Sequence, residues 1–157
     1  MLFVHEQADY FNRNHIYMKE TILSISGKPG LFRLVGQGNG NLILETIDEQ
    51  KRRVSSSSRD RVTSLSDVSM YTNDEDMPLM QVFENMKQKE NGATASVDFR
   101  KATNQELFDY LAEVLPDCDT DRIYPTDVKK LIQWYNILVK AGYTDFVEEE
   151  AAEEPAE

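Results

Sequence analysis

The chain has 157 residues and a formal net charge of −11, with 40% apolar and 29% charged residues. That apolar content supports one domain or two small ones. No apolar run approaches the roughly 20 residues of a membrane helix, so no membrane span is expected. The N-terminal residues lack the basic flank, apolar centre and small-residue cleavage site of a signal peptide, and Cys118 is the only cysteine. Both observations predict a cytoplasmic protein.

The charge is unevenly placed. Residues 18–72 hold eight basic and six acidic groups and are the only net-basic stretch, whereas residues 148–157 hold six glutamates and no base. The whole-chain charge opposes binding to a phosphate backbone, but the local excess of Lys and Arg leaves such binding open for this stretch.

Residues 1–17 show no clean period and read as a loosely structured extension ahead of Met18. His5 and His15 lie there without other nearby metal-ligand types, the pattern of ordinary surface histidines. The chain then turns strand-like. Pro29-Gly30 suits a type II turn, and the apolar runs 31–35 and 42–47 flank a Gly/Asn-rich linker, which predicts a β-hairpin. Residues 51–55, 61–65 and 68–71 alternate and predict further short strands, with the serine run 55–58 as a mobile loop. Five short strands with turns between them predict a small SH3-like β barrel over residues 18–73, by analogy of size.

A three-helix region is expected over residues 74–147, making the fold class α+β. Pro78 suits a first helical position, Leu79, Val82, Phe83 and Met86 form a stripe, and Asn91-Gly92 ends it. Residues 93–101 read as a short strand or extended linker. Thr103 and Glu106 form a capping box for a second helix that Pro116 stops. Thr126 is placed to cap a third helix, running from Asp127 to about Ala141 and closed by Gly142. The tail 148–157 is acidic without apolar period and reads as disordered.

Several constellations bear on function. Gly36, Gly38 and Gly40 resemble a phosphate-binding loop, but a second apolar strand follows where the dinucleotide fingerprint needs a helix, so they read as a hairpin tip. Asp117, Asp119 and Asp121 resemble the start of an EF-hand loop, making a divalent-metal site one alternative. Arg122 and Val128 stand where that loop needs glycine and the bidentate glutamate, so a solvated helix–helix loop is the better reading and no metal ligand is assigned. Lys51, Arg52, Arg53, Arg59 and Arg61 cluster around the serine loop. They suit a phosphate backbone or an acidic protein surface, or equally an edge strand protected from aggregation. Phe32 and Tyr71 could add stacking surface there, and the acidic tail could compete for it in cis. Trp134 sits at the margin of the third helix's apolar stripe, as a packing anchor or a partner hot spot. No catalytic motif or cofactor signature is found; an enzyme is not expected and no cofactor is implied.

The segments ILSISGKPGLFRLV, DEQKRR, RDRVTSLSDVSMYT, PLMQVFE, AEVLPDCDTDRIYPTDVKKLIQWYN and AGYTDF resemble those of a group of cytoplasmic proteins from Bacteroidota-type bacteria. The resemblance implies a small β domain followed by a helical region, starting near Met18; it carries no activity and no site residues. The reading that results is a non-enzymatic interaction module that binds a protein partner through its β domain and helical lobe. RNA or nucleoprotein binding through residues 51–61 is the alternative, followed by a divalent cation on the loop 117–121.

Overall fold

The computed structural model describes residues 20–147 and the backbone of Phe3–Val4. The expectations for the rest of residues 1–17 and for the tail 148–157 lie outside the described residues. The described elements are strands β1 (Phe3–Val4), β2 (Ile22–Ile25), β3 (Phe32–Gln37), β4 (Leu42–Thr46), β5 (Arg53–Ser56), β6 (Val62–Ser64), β7 (Val68–Met70) and β8 (Met77–Pro78). Helices α1 (Leu79–Glu90), α2 (Asn104–Val114) and α3 (Pro125–Lys140) follow.

The fold is α+β, but the sheet is open. Its order is β5-β4-β3-β2-β6, all antiparallel, so β5 and β6 are unjoined edges and the expected closed barrel is not formed. The strands also differ from the expected set. Ile22–Ile25 takes a central place beside β3, while Val68–Met70 joins a second sheet of order β1-β7-β8. A 3-10 turn at Leu65–Asp67, anchored by the wholly buried Leu65, redirects the chain between the two sheets.

Turn chemistry explains the first sheet. Gly30 has φ +84° and Gly40 has φ +78°, a backbone that a side chain would strain, so each closes its turn as the sequence reading expects. A β-bulge between Leu34 and Gly36 adds twist to the β3–β4 hairpin. The inner face carries Leu23, Ile25, Phe32 and Leu44, all buried, with Leu34, Leu42, Val54 and Val62 packed around them. Among the described residues no helix side chain belongs to this cluster, which fits a sheet curled over it. Loop length agrees. The Asp60 N–H donates to the Ser57 carbonyl at 3.1 Å, which folds the loop between β5 and β6 into a turn. Such a loop spans about 18 Å at most, while the edges of a flat five-stranded sheet lie about 19 Å apart. Ser56, expected in a mobile loop, is instead buried at the end of β5.

The helices and the second sheet share the larger core. It runs from Ile22, Leu31 and Leu65 through Phe83, Leu111 and Leu131 to Phe146. Phe83, Tyr135 and Phe146 meet with ring centroids 5.3–6.3 Å apart. Helix ends follow local chemistry. Asn91 ends α1 with φ +55°, and Thr103 and Glu106 form the expected reciprocal cap of α2 at 3.1 and 2.9 Å. Three local expectations are corrected. Pro78 belongs to β8 and precedes α1 rather than opening it, because its N-terminal neighbour Met77 pairs with Met70. Thr126 does not cap α3; Pro125 takes the first position and the Asp127 carboxylate accepts from the Tyr124 N–H at 2.9 Å. Residues 93–101 form turns without a strand, tied down by the Ala95 N–H donating to Asn136 Oδ1 at 2.8 Å.

Two buried phenols make the core sensitive to base. The Tyr135 hydroxyl donates to the Ala93 carbonyl at 2.7 Å, and burial, aided by the Glu90 and Glu84 carboxylates, pushes it up to about 12. Burial and its bond to Glu90, at 2.7 Å, push Tyr110 well above the ordinary phenol value. A folded-state value above the unfolded one means stability is full below about pH 10 and falls as the pH rises through the folded value. For Tyr135 the loss by pH 12 is on the order of 2–3 kcal/mol. Urea unfolding from pH 9 to 12 should show this decline, and Tyr135→Phe should be less stable at pH 8 yet lose less on the way to pH 12; an equal pH-dependent loss in both proteins contradicts the assignment.

Candidate functional site: clefts between the first sheet and helix α3

Along α3, Asp127, Lys130, Trp134, Ile137 and Ala141 recur at helical spacing on one side. They face the first sheet across two clefts. The C-terminal half lines a cleft of about 500 Å³ with β3, β4 and the β4–β5 turn; the N-terminal half lines one of about 450 Å³ with β2, β6 and the β2–β3 turn.

The C-terminal cleft is charge-balanced. Arg33 binds Glu45 through Nη2 at 2.7 Å and Nε at 3.3 Å, and reaches Glu20 through Nη1 at 3.2 Å. The cross-strand positions Arg33, Glu45 and Arg53 thus form a ladder on the outer face, with Arg53 3.7 Å from Glu45. The Arg33 hydrogen bond draws the Glu45 carboxyl below its usual value. Lys51 sits at φ +49° in a turn organised by Asp48, whose Oδ1 accepts from the N–H groups of Gln50 and Lys51 and from the Thr46 hydroxyl. Those bonds, that from Lys51 first, lower the Asp48 carboxyl too.

The N-terminal cleft differs in kind. Ser24 pairs with Thr63 across β2 and β6, and Ser26, in the turn that follows β2, adds a third hydroxyl-bearing residue to the cleft lining. Trp134, 8% exposed, forms part of the opposite wall, with Lys130 Nζ 5.8 Å from its ring centroid. Lys28 and Arg61 complete the lining at the turn end, where the Arg61 carbonyl accepts from the Ser26 N–H at 2.9 Å. Among the described residues Lys28, Arg61 and Lys130 make no salt bridge. The one carboxylate in the cleft, Asp127, is buried and bonded to the Tyr124 N–H.

The basic cluster read from the sequence is therefore divided. Lys51 lines the C-terminal cleft and Arg61 the N-terminal one. Arg52 is exposed on the strand-entry turn, its N–H donating to Thr46 Oγ1. Arg53 is exposed on β5 but tied to Glu45, and Arg59 is exposed on the β5–β6 loop. Phe32 is 5% exposed inside the sheet's own cluster and offers no stacking face, a correction imposed by its inward register opposite Leu23. Tyr71 lies under the Arg122 guanidinium, 4.1 Å from its ring centroid. Trp134 is both a core residue and a cleft wall.

The loop 117–121 is organised by Arg122. Its Nε donates to Asp119 Oδ2 at 2.7 Å and its Nη2 to the Thr72 carbonyl at 3.1 Å. Asp119 Oδ1 accepts from the Asp121 N–H at 3.0 Å. The guanidinium bond holds the Asp119 carboxyl below its usual value. Among the described residues no group of three or more His, Cys, Asp or Glu side chains converges as a metal site would require. Sequence reading missed Ser24, Lys28, Thr63 and Lys130. The spacing of Lys130 and Trp134 on a helix was available, but the partnering of β6 with β2 was not.

Two family models match, one described as a domain of unknown function (DUF5606) over residues 20–65 and one as a domain of unknown function (DUF6852) over residues 68–138. No curated protein matches. A solution NMR structure of a protein from Bacteroides vulgatus is similar to this chain at 53% identity, covering 89% of this chain and 99% of that one, with a TM-score of 0.70. Identity of that level over nearly both lengths means that this chain belongs to the same protein family as the Bacteroides vulgatus protein.

Proposed function

We propose that this protein is a non-enzymatic interaction module that receives a protein partner in the N-terminal cleft, between β2–β6 and α3. The observation that carries the reading is a half-apolar cleft with an aromatic wall and three cations that make no salt bridge among the described residues. Trp and Arg, which Trp134 and Arg61 supply here, are among the residue types enriched at interface hot spots. The sheet and a helix both contribute, so the surface exists only when the two pack together. No helix among the described residues is long and apolar enough to cross a membrane.

RNA or nucleoprotein binding through residues 51–61 has weaker support. Its five basic residues lie in two clefts, on β5 and on intervening turns rather than along one stripe, and the chain as a whole is at −11. The cation reading rests on a loop whose central carboxylate is engaged by Arg122.

Affinity capture from a lysate of the producing cells tests the proposal. Arg61→Glu with Lys130→Glu replaces two exposed side chains, so the variant should keep its thermal midpoint within a few degrees. Recovery of the specific partner should fall about tenfold or more, the scale of a lost interfacial charge pair. Equal recovery by a folded variant removes the cleft from the account.

A further inference from the structure

We infer that the occupant of the N-terminal cleft is an acidic, extended segment of the partner protein, seated with carboxylates toward Lys28, Arg61 and Lys130 and one apolar side chain against Trp134. The inference rests on the cleft reading above and adds the chemistry of its ligand.

Charge supplies the first argument. The cleft gathers three cations against one carboxylate in a chain whose overall charge is −11. The carboxylate, Asp127, is already used to cap α3 through the Tyr124 N–H. A distant polyanion meets the repulsion of the whole molecule, but ionic screening reduces that repulsion beyond about 10 Å at 0.1 M salt. A short acidic segment in contact with the cleft then feels mainly the local cations.

Shape supplies the second. Ser24 lies in β2 with Thr63 paired across from it, and Ser26 opens the turn that follows β2. Ser24 and Thr63 therefore stand side by side on adjacent extended strands, with Ser26 at the turn end of the same cleft wall. Hydroxyls can donate to carboxylate oxygens or to peptide carbonyls of a segment laid along them. The opposite wall is apolar at Trp134, with Ile25 and Val68 also in the lining. A cleft with donors on one side and an indole on the other suits a peptide that alternates acidic and apolar side chains. A compact phosphate ion uses the cations but leaves the indole wall empty, and a nucleic-acid strand needs a longer basic track than these residues provide.

The protein's single tryptophan makes the site directly observable. The full chain is titrated with a short peptide of glutamates around one leucine while Trp134 emission is followed. The same measurement is made with a glutamine-for-glutamate peptide, with inorganic phosphate and with single-stranded RNA of matched charge. The acidic peptide should give a saturable change that weakens about tenfold between roughly 50 and 300 mM salt, since screening strengthens over that range. The glutamine peptide should bind at least tenfold more weakly, and Arg61→Glu with Lys130→Glu should abolish the response. Equal binding of the glutamine peptide, or tighter binding of phosphate or RNA, overturns the inference. Failure of the acidic peptide while the double variant still loses its captured partner overturns the ligand chemistry alone; failure of both measurements overturns the cleft reading as well.

Discussion

The first sheet carries apolar side chains on both faces, and among the described residues one helical lobe is present to cover them. Burial of nonpolar surface is the dominant favourable term in folding, so neither face can be left to water. The inner face resolves this by curling until Leu23, Ile25, Phe32 and Leu44 enclose one another. On the other side, Ile22 and Leu31 join the core built by α1, α2 and α3. The return of β6 to pair with β2 makes both possible, because it carries the chain from the far edge of the meander back to the side where Leu65 and Val68 enter the shared core.

The clefts are a consequence of that division. Helix α3 contributes Leu131, Trp134, Tyr135 and Leu138 to the core, while Lys130, Ile137, Ala141 and again Trp134 line the clefts against the first sheet. A curled sheet and a rod cannot stay in contact along their whole length. The ion-paired Arg33 and Glu45, with Glu20 beside them, occupy one gap, and cations that make no salt bridge among the described residues occupy the other. The contrast distinguishes the two clefts: Arg33 and Glu45 pair within the fold, whereas Lys28, Arg61 and Lys130 make no salt bridge among the described residues.

Much of the secondary structure was legible in the residues. Pro29-Gly30, the Thr103–Glu106 box and Asn91 are local signals whose physics does not depend on the rest of the chain. The open order β5-β4-β3-β2-β6 was not legible, and the expected SH3-like closure is not formed, because strand partnering is set by which apolar faces find cover and not by strand count. Ser56 and Phe32 show the same limit: serine and an aromatic suggest loop and surface, yet register turns both inward. The basic cluster was correctly seen as charge but not as geometry. Residues ten apart in sequence, Lys51 and Arg61, line different clefts because β5 and its loop carry the chain across the sheet between them.

The central claim is that the seam between β2–β6 and α3 is the binding surface. Backbone amide chemical-shift mapping of the labelled full chain, with the acidic peptide added in steps, tests it most directly. The account predicts that the largest changes fall on Lys28, Arg61, Thr63 and Lys130 and on the indole N–H of Trp134. Changes centred on the 51–53 turn or the 117–121 loop, with the seam unmoved, contradict it.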